Sequence, residues 1–152
     1  MRMVSDILHR KGNAIWSVHP DSTVYDALQL MAEKDVGALL IIENDRLVGI
    51  FSERDYARKI ILQGRSSLST TVREIMSDNV ITIHPEQHLE ECMAVMTMHH
   101  IRHLPVMNGS TLAGVISIGD VVKEIIADQS LEIEQLENYI TGRSYSADPL
   151  QH

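Results

Sequence analysis

The chain has 152 residues, 44% of them hydrophobic and 22% charged, with a formal net charge of −8 at pH 7. That composition belongs to globular chains rather than disordered or fibrous ones, and a fold of this length buries roughly 70% of its unfolded surface. The acidic balance excludes general nucleic-acid binding, the single Cys92 excludes an internal disulfide, and no stretch reaches the roughly 20 apolar residues that span a bilayer.

In chain order, VSDIL at 4–8 reads as a short leading segment. IWSVHP, at 15–20, is a β-branched run closed by proline, which cannot donate to a ladder. A helix opened by Asp21 follows, with Val24, Ala27, Leu28 and Met31 at spacings of three and four. GALLIIE and RLVGIFS flank the turn Asn44-Asp45 as a hairpin, and a second helix starts at Asp55. GRSSLSTT, 64–71, is polar and turn-prone, a linker. Then the order recurs: VREIM at 72–76, VITIHP at 80–85, a helix opened by Glu86 with Leu89, Cys92, Met93 and Met96, the strands HLPVMN and TLAGVIS, and a helix from Asp120.

The recurrence has a register. A shift of 65 positions lays His19-Pro20 on His84-Pro85, Met31 on Met96, Gly49 on Gly114, Ser52 on Ser117, Asp55 on Asp120 and Ile60-Ile61 on Ile125-Ile126, without a gap. Upstream the shift is 68, so the first repeat carries three extra residues around Arg10 to Asn13, read as an ordinary loop insertion. The predicted organisation is a first repeat with its N-terminal helix over 1–63, the linker, a second repeat over 72–128, a helical extension over 129–142 stopped by Gly142, and a disordered tail over 143–152.

Two β-α-β-β-α repeats whose last strand runs into Gly, an apolar pair, Ser, two residues and Asp resemble the cystathionine-β-synthase-type (CBS) domain family. GIFSERD at 49–55 and GVISIGD at 114–120 carry the resemblance, which covers about residues 4–126. It implies an α+β fold of two repeats packed with pseudo-two-fold symmetry, two clefts between them, and an adenosine ligand. AMP is the foremost candidate, with ATP, NAD and S-adenosylmethionine sharing the same moiety. It also implies a homodimer and a regulatory, non-catalytic role acting on a separate effector protein. The alternative is a structural or interaction module with vestigial clefts.

A ribose presents two adjacent hydroxyl donors, which one carboxylate can accept. The resemblance assigns that role to Asp55 and Asp120, with Ser52 and Ser117 on ribose or phosphate. One cleft would join Asp55 and Ser52 to Val80, Arg102, His103 and Leu104; the other would join Asp120 and Ser117 to Ile15, Val36, Gly37 and Ala38. Arg54 precedes Asp55 where Gly119 precedes Asp120. The Asp55 cleft therefore gathers Arg54, Arg102 and His103 and is expected to take the phosphorylated ligand, while Arg58 and Lys59 read as a solvated face of the helix that begins at Asp55. The Asp120 cleft is expected to stand empty or take a less charged moiety.

Blander readings apply elsewhere. His99 and His103 stand four apart, but a helix-to-strand break between them removes the geometry of a zinc pair, and no metal is expected. Cys92 reads as a small core residue; Trp16, a lone aromatic in a strand, reads as core, with stacking on adenine as the alternative. No nucleophile, base or Gly-rich loop stands at a catalytic spacing. Apolar Ile125, Ile126, Ile133, Leu136 and Ile140 extend the last helix beyond the repeat and predict dimerisation. Cysteine scarcity, and a start without an apolar signal core, predict a cytoplasmic protein.

Overall fold

The computed structural model describes residues 2–141, so the predicted stop at Gly142 and the tail over 143–152 lie outside the described residues. The first series of elements is α1 (Val4–Lys11), β1 (Ser17–Val18), α2 (Val24–Lys34), β2 (Ala38–Glu43), β3 (Arg46–Ser52) and α3 (Glu53–Tyr56), continued by a π-helical turn over Ala57–Ile61. The second is α4 (Val72–Ile75), α5 (Leu89–His99), β4 (His103–Asn108), β5 (Thr111–Ser117) and α6 (Ile118–Thr141). The fold is α+β, built from two repeats.

α2 and α5 are capped two positions later than predicted. Thr23 caps α2, its hydroxyl accepting from the Asp26 amide at 3.1 Å, because side chains of this type satisfy the free donors of a first turn. Asp21 lies in the preceding turn and accepts from Arg73 at 3.3 Å instead. In α5 the cap position is His88, whose amide donates to Glu91 at 3.2 Å, while Glu86 stays outside the helix. Both helices end on a left-handed residue, Asp35 at φ 53° and His100 at φ 55°.

β1, β2 and β3 form one sheet, β1 parallel to β2 and β2 antiparallel to β3. β4 and β5 form the matching hairpin, with register shifts at equivalent places, between Ile41 and Ile42 and between Val106 and Met107. The predicted strand over 80–85 shrinks to one parallel bridge, Ile83 to Val106. Ile83 donates to Pro105 and accepts from Met107, and Pro85 ends the pairing by lacking a donor.

Each leading helix packs into the other repeat. Val4 and Ile7 of α1 join Ile83, Leu89, Leu104 and Ile116 in one buried cluster, and Val72 and Ile75 of α4 join Val24, Leu39, Phe51 and Ile60 in the other. The backbone repeats the exchange: Val4 donates to the Gln87 carbonyl at 2.9 Å and Val72 to the Ser22 carbonyl at 2.8 Å. Neither core closes without the other repeat's helix, so the halves bury their apolar surface as one unit.

Candidate functional site

Each Ser–Asp pair is a reciprocal cap at the start of a helix. The Ser52 hydroxyl accepts from the Asp55 amide at 3.2 Å, and the Asp55 carboxylate accepts from the Ser52 amide at 3.0 Å and hydroxyl at 3.1 Å. In the second repeat the Asp120 amide donates to the Ser117 hydroxyl at 3.1 Å and the Ser117 amide to the Asp120 carboxylate at 2.8 Å. The helices start at Glu53 and Ile118, so the aspartates sit in the first turn rather than opening it. In both, one oxygen, Oδ2, takes the amide bond, and Oδ1 of Asp55 lies 3.4 Å from the Lys59 ammonium. The strand end and the helix start together hold each carboxylate at the mouth of a cleft between the repeats.

The Asp55 cleft has a volume of 1280 Å³ and brings together Ser52, Arg54, Asp55, Val80, Arg102 and His103. Leu104 is buried in the core, because side chains along β4 alternate and its neighbours His103 and Pro105 face the cleft instead. Arg58, Lys59, His99 and His100 also line it. Arg54 is tethered across the cleft, donating to the His100 carbonyl at 2.5 Å. Four cationic side chains against Glu53 and Asp55 make this a cleft that favours anions.

The Asp120 cleft is smaller, 390 Å³, and contains Val36, Gly37, Ala38, Ser117 and Asp120. Ile15 is outside its lining, for Ala14 and Trp16 on either side turn inward, and Gly119 is outside it too. Trp16 departs from the core reading: it is 39% exposed, lines this cleft, and carries the Lys34 ammonium 4.5 Å over its ring. Lys11 was not singled out by its sequence context. Its ammonium donates to Asp120 at 2.7 Å. The insertion around Arg10 to Asn13 lengthens α1 to eight residues against four in α4, which is how Lys11 reaches the cleft.

His103 borders both clefts. Burial, then the Lys11 charge, hold its pKa below the ordinary histidine value, so the ring is uncharged at neutral pH. Burial pushes the Asp120 carboxyl up, but the hydrogen bonds from Lys11 and the Ser117 amide outweigh it and leave the pKa lowered. Cys92 is fully buried, and burial raises its thiol to about 11, consistent with an inert core residue. Among the described residues the grouping with metal-compatible spacing is His19, Asp21 and Glu43. It is surface-lying, and Arg73 already donates to both carboxylates.

The CBS domain pattern matches the sequence twice, over residues 4–62 and 72–127. The chain belongs to the CBS-domain family. Among curated relatives, the mitochondrial CBS domain-containing protein CBSX3 of Arabidopsis thaliana is 42% identical over 149 residues, covering 91% of this chain and 72% of that protein. A solved protein with CBS domains from Burkholderia ambifaria superposes with a TM-score of 0.81 at 52% identity, covering 84% of this chain and 96% of that one. A CBS domain pair in complex with 5′-methylthioadenosine and S-adenosyl-L-methionine shares the fold, with a TM-score of 0.74 at 23% identity over 84% of this chain and 98% of that one. Hypoxic Response Protein I, solved with two coordinated zinc ions, has a TM-score of 0.67 at 28% identity over 82% of this chain and 99% of that one. No described helix is long and apolar enough to cross a membrane.

Proposed function

We propose that this CBS pair is a cytoplasmic regulatory module that binds an adenine nucleotide, AMP foremost, between its repeats and acts on a separate effector protein. The observation that carries the reading is the duplicated Ser–Asp cap at the two cleft mouths, where a fixed carboxylate meets a cavity large enough for a nucleotide. Asp55 and Ser52 hold the ribose in the larger cleft, and Arg54, Arg58 and Arg102 supply donors for phosphate. Val80 and the strand backbone frame the base. The CBS pair solved with 5′-methylthioadenosine and S-adenosyl-L-methionine supports an adenosine ligand class for this fold. Regulation follows if the nucleotide binds one packing of the repeats better than another, since a ligand shifts an equilibrium only by its differential affinity.

Assembly is assigned to α6. Val122, Ile126, Ile133, Leu136 and Ile140 are exposed along it at spacings of three, four and seven, one stripe of a helix that only a second surface would bury. A homodimer through this stripe completes the fold.

The test is a thermal-shift screen against AMP, ADP, ATP, NAD and S-adenosylmethionine with Asp55→Ala alongside. A ligand at 100 times its Kd stabilises by about 2.7 kcal/mol, a rise of about 5–10 °C for a chain of this size. A shift abolished by Asp55→Ala supports the reading; silence from every ligand, in calorimetry as well, refutes it.

A further inference from the structure

The two clefts obtain their cations differently. In the first repeat Asp55 and Lys59 stand four apart on one helix, 3.4 Å between charges. The register places Glu124 where Lys59 stands. The second repeat therefore carries two carboxylates, Asp120 and Glu124, on one helix face, an arrangement that repels. The missing positive charge comes from the extra turn of α1. Arg10 donates to the buried Glu124, Arg2 lies 3.5 Å from it, and Lys11 donates to Asp120. The insertion and the change of charge compensate each other across 114 positions of sequence.

Among the described residues Lys11 is the single Lys or Arg side chain lining the Asp120 cleft, which Asp35 and Asp120 also line. A ribose that takes both oxygens of Asp120 competes with this ammonium for Oδ2, where the Ser117 amide also donates. A neutral nucleoside offers the displaced charge nothing in return. A phosphorylated ligand does, because the ammonium rides on a flexible four-carbon stem and pairs with an anion over a range of positions. Without Lys11 the described lining keeps two carboxylates and no Lys or Arg, with Lys34 only at its edge over Trp16, and disfavours the same phosphate.

We propose that Lys11 is the specificity-determining residue of the Asp120 cleft, setting it to prefer a phosphorylated adenosine over a neutral one. This rests on the adenosine reading above, and it reverses the expectation of a less charged ligand in this cleft.

The test is titration calorimetry with AMP and with adenosine on Asp55→Ala protein, which leaves the Asp120 cleft as the intact site, with and without Lys11→Met. Circular dichroism melts check that each variant is folded, and Lys11→Gln provides a second neutral variant. The Asp55→Ala protein is expected to bind AMP more tightly than adenosine. Adding Lys11→Met is expected to weaken AMP about fivefold while strengthening adenosine, the scale of one partly exposed charge contact; Lys11→Arg is expected to keep the AMP preference. Equal effects on both ligands, or none, overturn the proposal. If Asp55→Ala binds neither ligand while the wild type binds AMP, the Asp120 cleft takes no adenosine ligand and the proposal falls with the general reading intact. If the wild type binds neither, the adenosine reading itself has failed.

Discussion

Gly49 lies directly beneath Met76: a Cβ on the glycine would meet the methionine Sδ at 2.5 Å and the Ser77 carbonyl oxygen at 3.2 Å. That backbone is held in place, since Ile50 and Ser77 exchange both amide hydrogen bonds at 3.0 Å. The equivalent Gly114 lies beneath Leu8, whose Cδ2 would be 2.8 Å away. The glycine of each motif is thus where the exchanged segment from the other repeat crosses a strand. Gly49→Ala should destabilise by about 1–3 kcal/mol, the usual cost of overpacking. Gly114→Ala should cost less, because a leucine side chain yields more readily than a carbonyl. Urea unfolding of the two variants would check the order.

Arg10→Ala removes a cation from Glu124, whose side chain is only 4% exposed. Breaking a buried pair from one side leaves an uncompensated charge. With Arg2 still 3.5 Å away, the expected loss is about 1–3 kcal/mol, restored in large part by adding Glu124→Gln. A double-mutant cycle measured by chemical denaturation tests it, and purely additive losses would count against the coupling.

His103 gives the fold a pH dependence of definite sign. The ring is faced by Lys11, Asp120, Glu53 and Arg102, and its pKa is lowered in the folded state, chiefly by burial. Between that lowered value and the unfolded value of about 6.5, the unfolded chain holds a proton that the folded ring does not. Stability therefore falls as pH drops through this window and is regained above it. Melting midpoints at pH 7.5 and 5.5 should differ more for the wild type than for His103→Gln. A phosphate at this ring would favour the imidazolium, so AMP binding near pH 7 should take up protons, seen as heats that vary with the buffer's ionisation enthalpy.

On α6, Ile126→Glu with Ile133→Glu should convert a dimer to a monomer by light scattering, while leaving the AMP-induced rise in melting midpoint unchanged. Both residues are more than half exposed and line neither cleft. A double variant that stays dimeric would exclude this stripe as the interface.

The repeat, the hairpins and the Ser–Asp pairs are legible in the sequence because they depend on local chemistry: alternation, turn residues, and a cap spaced three residues apart. Other features depend on tertiary partners that leave no local signal. The helices at 4–11 and 72–75 look as though they belong to the repeats they precede, yet pack into the opposite ones. Trp16 reads as core by its size, but one step of strand alternation turns it to the Asp120 cleft and Ile15 away from it. Asp21 and Glu86 are good cap residues whose place is taken two positions later by Thr23 and His88. Lys11 lies in a three-residue insertion that reads as an ordinary loop. The available clue was Glu124 at the place of Lys59, a change of sign on a face that already held Asp120.

That difference has a consequence for how the two repeats divide their work. The two repeats hold complementary halves of one electrostatic arrangement, so neither half could replace the other. A chain made of the first repeat twice would place Arg10 opposite a lysine instead of a glutamate, and one made of the second repeat twice would leave both pairs of carboxylates without the α1 cations. The repeats share a backbone plan, but the difference at Lys59 and Glu124, with the lengthened α1, gives them electrostatic roles that do not interchange.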